Sequence, residues 1–572
     1  MLIDKLSEFL TSKKIILFLI LITFAVYFNS FFVNFVWDDE EVIVNNLTIR
    51  SFGNIPYILN GGNFSTGGGP PSGYFFRPLL TFHFMIDYAL FGLNAWGYHI
   101  SQIAYHIVNV VLIFLILQKL LNPENSRLKG LLSGALVLFF AIHPINTEAV
   151  VYINTVHYPG FAFLCLLAIY LTITKLKKLS FKWISIISFL ILFALLYNES
   201  GAVAIPVLII YLFLYRYPQK IFYSSFIIVS GLIYGFARFS LSPQALSLLT
   251  LSPISEASLT QRLYTIPQEL IIYLSLLFFP QRLSISQHFV VTQPNFYNFY
   301  LPFLIELLFF GLLIFWIVKK KSKPAGVGFL WFLGGLTITS NIIPLDMTVA
   351  ERWFYFPFLG LLLTISSLLI NLHKRIITAI IISLLLVSLI FSFRTIVRTF
   401  NWYSGLSLFT HDVSVYPNSY DLQMNTGVEL FRSGNISEAK KHFERSISLQ
   451  PKWDISYNNL GAVYEREGDL EKAKEYYKKT LELSDYYLAY ENLAGILTFK
   501  EDPAEAKKFI DESLKKLPNN SRLWLLKSIS EYKLGNKEAA LEASKSAFSL
   551  NQNQQTYYIY SQLSEGKELK LE

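Results

Sequence analysis

Long apolar runs, broken by short polar joints, fill the first 400 residues of this chain, and a polar pattern of paired helical stripes fills the rest. A bilayer core is crossed by about 20 consecutive apolar residues in helical form. Runs of that kind lie at 15–33, 98–121, 130–150, 157–174, 182–198, 201–216, 221–240, 298–318, 326–345, 353–371 and 377–396. These predict about eleven membrane helices. The stretch 264–280 is shorter and ends at Pro280, which suits an interfacial or re-entrant segment better than a span. The first run follows Lys13 and Lys14, is long for a signal-peptide core, and has no small-residue cleavage site after it. It reads as an uncleaved first helix.

Basic residues set the expected orientation, because short cytoplasmic loops collect Lys and Arg. With the N-terminus in the cytoplasm, Arg127/Lys129, Lys175/Lys177/Lys178 and Arg216/Lys220 fall inside. The alternate loops 144–156 and 198–200 carry no Lys or Arg. If 264–280 does not cross, Lys319–Lys323 and Lys374/Arg375 are inside too. An odd number of spans then puts the polar C-terminal region on the extracytoplasmic side.

That region is repetitive. Gly427, Gly461 and Gly495 recur every 34 residues, and Ala439, Ala473, Ala506 and Ala540 keep nearly the same step. Gly434, Gly468 and Gly535 mark turns, whereas the third unit has Asp502-Pro503 there. The period is that of tetratricopeptide repeats, paired helices that stack into a protein-binding array. The expected architecture is all-α: a polytopic membrane domain over 1–400, a linker over 401–419, and about four repeats with a capping helix near 554–565 over 420–572.

Composition agrees. The 572-residue chain is 53% hydrophobic and only 15% charged, where soluble proteins carry about 25% charge. The formal charge of +8 is spread through loops, so it points to membrane orientation and not to nucleic acid. The lone Cys165 sits in an apolar run and reads as a small buried hydrophobe.

Candidate chemistry gathers at one membrane face. The first run exits into Trp37-Asp38-Asp39-Glu40-Glu41. The following loop, 34–96, contains a glycine-rich stretch over 60–74 with no Gly-Lys-Ser/Thr, which excludes a nucleotide P-loop and a nucleotide cofactor of that kind. It ends in Phe76-Arg77-Pro78-Leu79 and a helix containing His83 and Asp87, stopped by Gly92. His99 and His106 are seven apart on one helical face. His143-Pro144, Thr147-Glu148 and His157, the turn Asn198-Glu199-Ser200, and Asp346 with Glu351-Arg352 fall at the same level. Acids outside a membrane suit transfer of a lipid-carried sugar. A carboxylate, Asp38 or Asp39, takes the acceptor proton, and Arg77 and Arg352 are candidates to hold the donor phosphate. Asp39, Glu148 and His143 are the candidate ligands for a divalent metal, although their spacing matches no compact metal motif.

In order along the chain, Trp37-Asp38-Asp39, Phe76-Arg77-Pro78-Leu79, Gly97-Tyr98-His99 with His106, His143-Pro144 with Thr147-Glu148-Ala149-Val150, Asn198-Glu199, Glu351-Arg352 with Pro357, and the repeats resemble the GT-C glycosyltransferases. The resemblance is closest to the transmembrane and tetratricopeptide-repeat O-mannosyltransferases and their bacterial relatives. It implies an inverting hexosyltransferase that uses a polyprenyl-phosphate sugar, mannose or another hexose, at a catalytic acidic pair, with His99, His106, His143, Glu148, Glu199 and Glu351 supporting. It also implies an extracytoplasmic repeat domain. The leading reading has that domain capture an acceptor protein, and the low cysteine count and Lys/Ile-rich style suit a bacterial inner membrane. Two departures stand out: the Asn198 turn usually reads Lys-Glu in that family, and four repeats are few. A lipid or cell-wall glycan acceptor is the alternative, and a non-enzymatic scaffold or transporter the third reading.

Overall fold

The computed structural model describes residues 11–59, 75–121, 127–175, 180–241 and 252–570. The chain divides between Tyr416 and Pro417 into a membrane unit and a repeat unit. Among the described residues both are built from helices, and the one β-bridge joins Gln287 to Val349. The segment expected as a linker, 401–419, instead carries a helix, Gly405–Val415, that belongs to the membrane unit.

Each of the eleven apolar runs is helical. Seven of these helices are long and apolar enough to cross a membrane, and an eighth counts if the bent pair Arg127–Ala141 and Pro144–Val151 is one span. The chain is a multi-pass membrane protein. Phe181–Tyr197 and Lys323–Thr339 have 17 residues each. At 1.5 Å per residue each reaches about 25 Å, less than a hydrocarbon core of about 30 Å. Leu259–Phe278, the doubtful segment, is a 20-residue helix with Pro267 inside it and is not among the seven.

Burial sorts these helices into layers. Tyr355–Leu369 is buried along almost its whole length and forms the centre of the unit. Leu301–Lys320 leaves Leu307, Leu308, Leu312 and Phe315 exposed, as a lipid-facing helix should. The central helix is reached closely by Lys323–Thr339. A Cβ on Gly328 would stand 2.8 Å from the Gly360 carbonyl oxygen, and one on Gly360 2.6 Å from the Phe332 nitrogen. Small residues let backbones pack at this distance where no hydrophobic effect drives helix association. The bend of 48° falls at Pro144, which has no N–H to continue the helix. It turns Thr147–Val151 inward, and Glu148 is fully buried.

In the repeat unit, helix pairs run from Tyr420–Arg432 to Lys537–Leu550, and the helix Gln554–Ser564 follows the last pair. Ala439, Ala473, Ala506 and Ala540 are all fully buried. Gly434, Gly468 and Gly535 have φ of 85°, 86° and 81°, which an L side chain rarely adopts. A cleft of about 320 Å³ opens among Lys474, Lys478, Glu482, Leu497, Glu505 and Phe509.

Candidate active site

The acidic run sits on a strained turn. Val33 leaves the first helix in extended backbone, and Trp37 adopts φ 57°. For a bulky residue that is an outlier, the kind of local strain that surrounding structure must enforce. Here the enforcement is visible. The Trp37 ring stacks on Tyr152 at 5.4 Å, and Tyr152 stacks on Trp402 at 5.3 Å. The Arg352 guanidinium lies 5.9 Å from the Trp37 ring centroid.

This turn gives the two aspartates different surroundings. Asp39 is fully buried. Its Oδ2 accepts the Val36 N–H at 3.1 Å and its Oδ1 the Asn154 N–H at 2.8 Å. Burial pushes its carboxyl well above the usual carboxylate range. The two amides pull the other way, and the charges of Asp38 and Glu40 add to the rise. Asp38 is half-buried. Adjacent carboxylates are thereby separated into an internal tie and a group that reaches the surface.

The tie continues through Asn154. Its carbonyl accepts from His157 Nδ1 at 2.8 Å. That fixes the proton on Nδ1, so Nε2 accepts from Arg77 Nη1 at 3.2 Å. Arg77 in turn forks onto Glu199 through Nε at 3.0 Å and Nη2 at 2.6 Å, and stacks 3.9 Å over Phe75. One chain of contacts therefore joins Asp39, His157, Arg77 and Glu199.

Arg352 closes a second group. Its backbone N–H donates to Glu148 Oε2 at 2.8 Å and its Nη1 to Oε1. Nη1 also reaches the Ile285 carbonyl at 3.4 Å. Glu351 accepts the Ser284 N–H. Ile285 N–H donates to Asp412 at 2.9 Å, and Asp412 is forked by Arg398 at 2.6 and 3.0 Å.

Glu148, Glu351 and His143, expected at the membrane face beside the acidic pair, are all fully buried. Glu148 and His143 are met by structural partners, whereas Glu351 Oε2 has no hydrogen-bond partner among the described residues. His143 Nε2 donates to the Leu277 carbonyl at 3.0 Å, and Nδ1 accepts from Ile145 at 3.2 Å. His106 Nε2 donates to the Ala141 carbonyl and Nδ1 accepts from the Tyr355 hydroxyl, both at 2.8 Å. His99 Nε2 donates to the Val33 carbonyl at 3.2 Å, anchoring the entry to the acidic turn. The histidines thus brace the backbone. The metal donor set does not assemble either: both Asp39 oxygens hold amides, Glu148 holds Arg352, and His143 holds two backbone groups. Among the described residues no three His, Cys, Asp or Glu side chains are grouped to hold an ion. Cys165 is buried and free, as expected.

Sequence reasoning did not find Tyr152, Asn154, Trp402 or the Arg398–Asp412 pair. Asn154 acts through its backbone, which leaves no mark in a side-chain pattern. Arg398 and Asp412 are 14 residues apart across a helix break, a spacing with no periodic signature.

A family model described as dolichyl-phosphate-mannose-protein mannosyltransferase matches residues 77–243, and a tetratricopeptide-repeat model matches 455–486. The chain is similar to the protein O-mannosyl-transferases. Protein O-mannosyl-transferase F38B6.6 of Caenorhabditis elegans is 26% identical over 450 residues, 77% of this chain and 63% of that protein. Protein O-mannosyl-transferase TMTC3 of Homo sapiens is 24% identical over 489 residues, 77% of this chain and 52% of that one. The chain thus spans between half and two thirds of the length of these relatives. Among solved structures, apo ArnT from Cupriavidus metallidurans aligns over 88% of this chain and 80% of its own at 12% identity, with a TM-score of 0.40.

Proposed function

We propose that this chain is a glycosyltransferase that moves a hexose, by its relatives' chemistry mannose, from a polyprenyl-phosphate carrier to a hydroxyl of an acceptor protein held by the repeats. The observation that carries the assignment is the division of labour in the acidic pair, with Asp39 tied by two amides and Asp38 half-buried beside it. Asp38 is the base. The acceptor oxygen forms a bond to the anomeric carbon while the bond from that carbon to the phosphate oxygen breaks. The acceptor proton passes to Asp38, and the electron pair leaves on the polyprenyl phosphate. A single displacement of this kind inverts the anomeric centre.

Asp39 is a positioning residue, because it fixes the turn that aims Asp38. Arg352 and Arg77 are held by Glu148 and Glu199 and fix the walls beside the acidic turn. No step needs a metal. The distribution of Lys and Arg supports a cytoplasmic N-terminus with the acidic turn and the repeats extracytoplasmic. The test is transfer from radiolabelled polyprenyl-phosphate mannose in membranes that contain the full chain. Label should enter protein with wild type and fall by about 10³-fold or more with Asp38→Asn, the loss expected for a general base. Full activity in Asp38→Asn refutes the role of Asp38, and label found only in lipid or glycan refutes the protein acceptor.

A further inference from the structure

The two arginines of the acidic-turn networks are already neutralised. Arg77 is forked by Glu199, and Arg352 is bound twice by Glu148. A second anion brought to either pair gains little, because the pair is close to neutral from outside. A phosphodiester needs a cation whose charge is not already cancelled.

Arg238 meets that need. It lies near the C-terminal end of Lys220–Leu241 and is half-buried. Among the described residues, its hydrogen bond is to a neutral group, from Nη1 to the Tyr234 hydroxyl at 3.3 Å. Tyr234 is buried, and its ring lies 6.2 Å from that of Phe76, the residue before Arg77. Arg238 also lies within electrostatic reach of Glu199, the partner of Arg77. Among the described residues, two guanidinium groups therefore share this carboxylate, which leaves one positive charge over. The segment that follows, 242–251, contains no Asp or Glu to cancel it. An arginine at the end of a membrane helix reaches the interface by snorkelling, which puts its charge at the level of lipid headgroups.

The same helix is a lipid-facing one. Leu232, Phe236 and Phe239 fall at i, i+4 and i+7 on one stripe and are 66%, 75% and 58% exposed. An isoprenoid chain running along that stripe ends at the level of Arg238. We propose that Arg238 is the residue that takes the phosphate of the polyprenyl donor, with its chain along the exposed face of Lys220–Leu241. Arg77 and Glu199 hold the neighbouring wall in place. This inference rests on the donor class proposed above.

The test uses the full chain in phosphatidylcholine nanodiscs. Wild type, Arg238→Gln, Arg238→Lys and Asp38→Asn are compared for binding of polyprenyl phosphate, polyprenol and inorganic phosphate, and for donor KM. Arg238→Gln should weaken polyprenyl-phosphate binding and raise donor KM by about tenfold or more, the scale of a charge-assisted hydrogen bond. Polyprenol binding should not move. Arg238→Lys, which keeps the charge, should recover most of the loss and shows that a fold defect is not the cause. Asp38→Asn should bind donor normally and fail to transfer. Polyprenyl-phosphate affinity unchanged in Arg238→Gln overturns the proposal, as does an equal loss of polyprenol binding or equal competition by inorganic phosphate. Arg238-dependent binding without any transfer by wild type would overturn the transferase reading and leave this site standing. Normal transfer with an indifferent Arg238→Gln would do the reverse.

Discussion

Replacing Asp412 by Ala should damage the membrane unit more than any change in the acidic run. Both side chains of the Arg398–Asp412 pair are fully buried, and the contact is a fork of 2.6 and 3.0 Å. Asp412 also accepts the Ile285 amide at 2.9 Å. Removing one member of a buried pair costs about 3–5 kcal/mol, because the other charge is left without a partner. Replacing both members by apolar residues of similar size, Arg398→Met with Asp412→Leu, removes that charge. What then remain are the orphaned Ile285 N–H, about 1–3 kcal/mol, and His411, which loses its contacts to both members but is partly exposed and can turn to water. The double variant should therefore be more stable than the single one by about 2 kcal/mol, the difference between those two losses. Unfolding in nanodiscs, followed by tryptophan fluorescence, reads the order directly. The damage should reach the site, since the Ile285 carbonyl accepts from Arg352. The pair also sets an acid limb. Burial alone would raise the Asp412 carboxyl, but Arg398 outweighs it and holds the group below the usual range. Its contribution is complete above the unfolded value of about 4 and is lost as pH falls through the lowered folded value. Asp412→Ala should lose that limb. A single variant that unfolds with wild type, or a double variant as weak as the single, would refute this account.

Three further outcomes follow from other contacts. The Asp39 carboxyl is raised by burial, so its contribution to stability is full below about pH 4 and lost as pH rises through its folded value. Asp39→Asn should flatten that stretch of the stability profile, and an unchanged profile would count against it. A Cβ on Gly461 would meet Tyr477 at 2.7 Å, whereas one on Gly495 meets nothing within 4 Å. Gly461→Ala should destabilise the repeats by about 1–3 kcal/mol and Gly495→Ala should stabilise them by about 0.5–1 kcal/mol; calorimetry showing equal effects would remove the distinction. Trp37→Gly relieves the left-handed backbone but deletes the Tyr152 stack, so donor turnover should fall even where melting temperature holds, and unchanged turnover would separate the strain from function.

Periodicity alone located the long apolar helices and the repeat array, because a bilayer and a 34-residue stack each demand a regular apolar spacing, but it missed the helix Gly405–Val415. The same reasoning placed the third repeat's irregularity. Position 510, where Phe443 and Tyr477 have their counterpart, is Ile, so Gly495 no longer answers a close aromatic ring. Sequence order likewise gathered Asp38, Asp39, Arg77, Glu148, Glu199 and Arg352 at one level, since membrane spans alternate sides.

What level could not give was depth and pairing. A residue beside an apolar run reads as solvated or buried depending on what returns to cover it, and the return is made by segments 100 to 300 residues away. Glu148 is buried because Arg352 meets it, and Asp39 because the Asn154 amide does. The sequence by itself determined two helical units, a membrane-facing set of charges and a repeat array. The tertiary structure alone decided which of two adjacent aspartates is a tie and which reaches the surface, and which arginines already have their charge answered. Those distinctions depend on backbone amides and long-range carboxylates, and neither leaves a pattern along the chain.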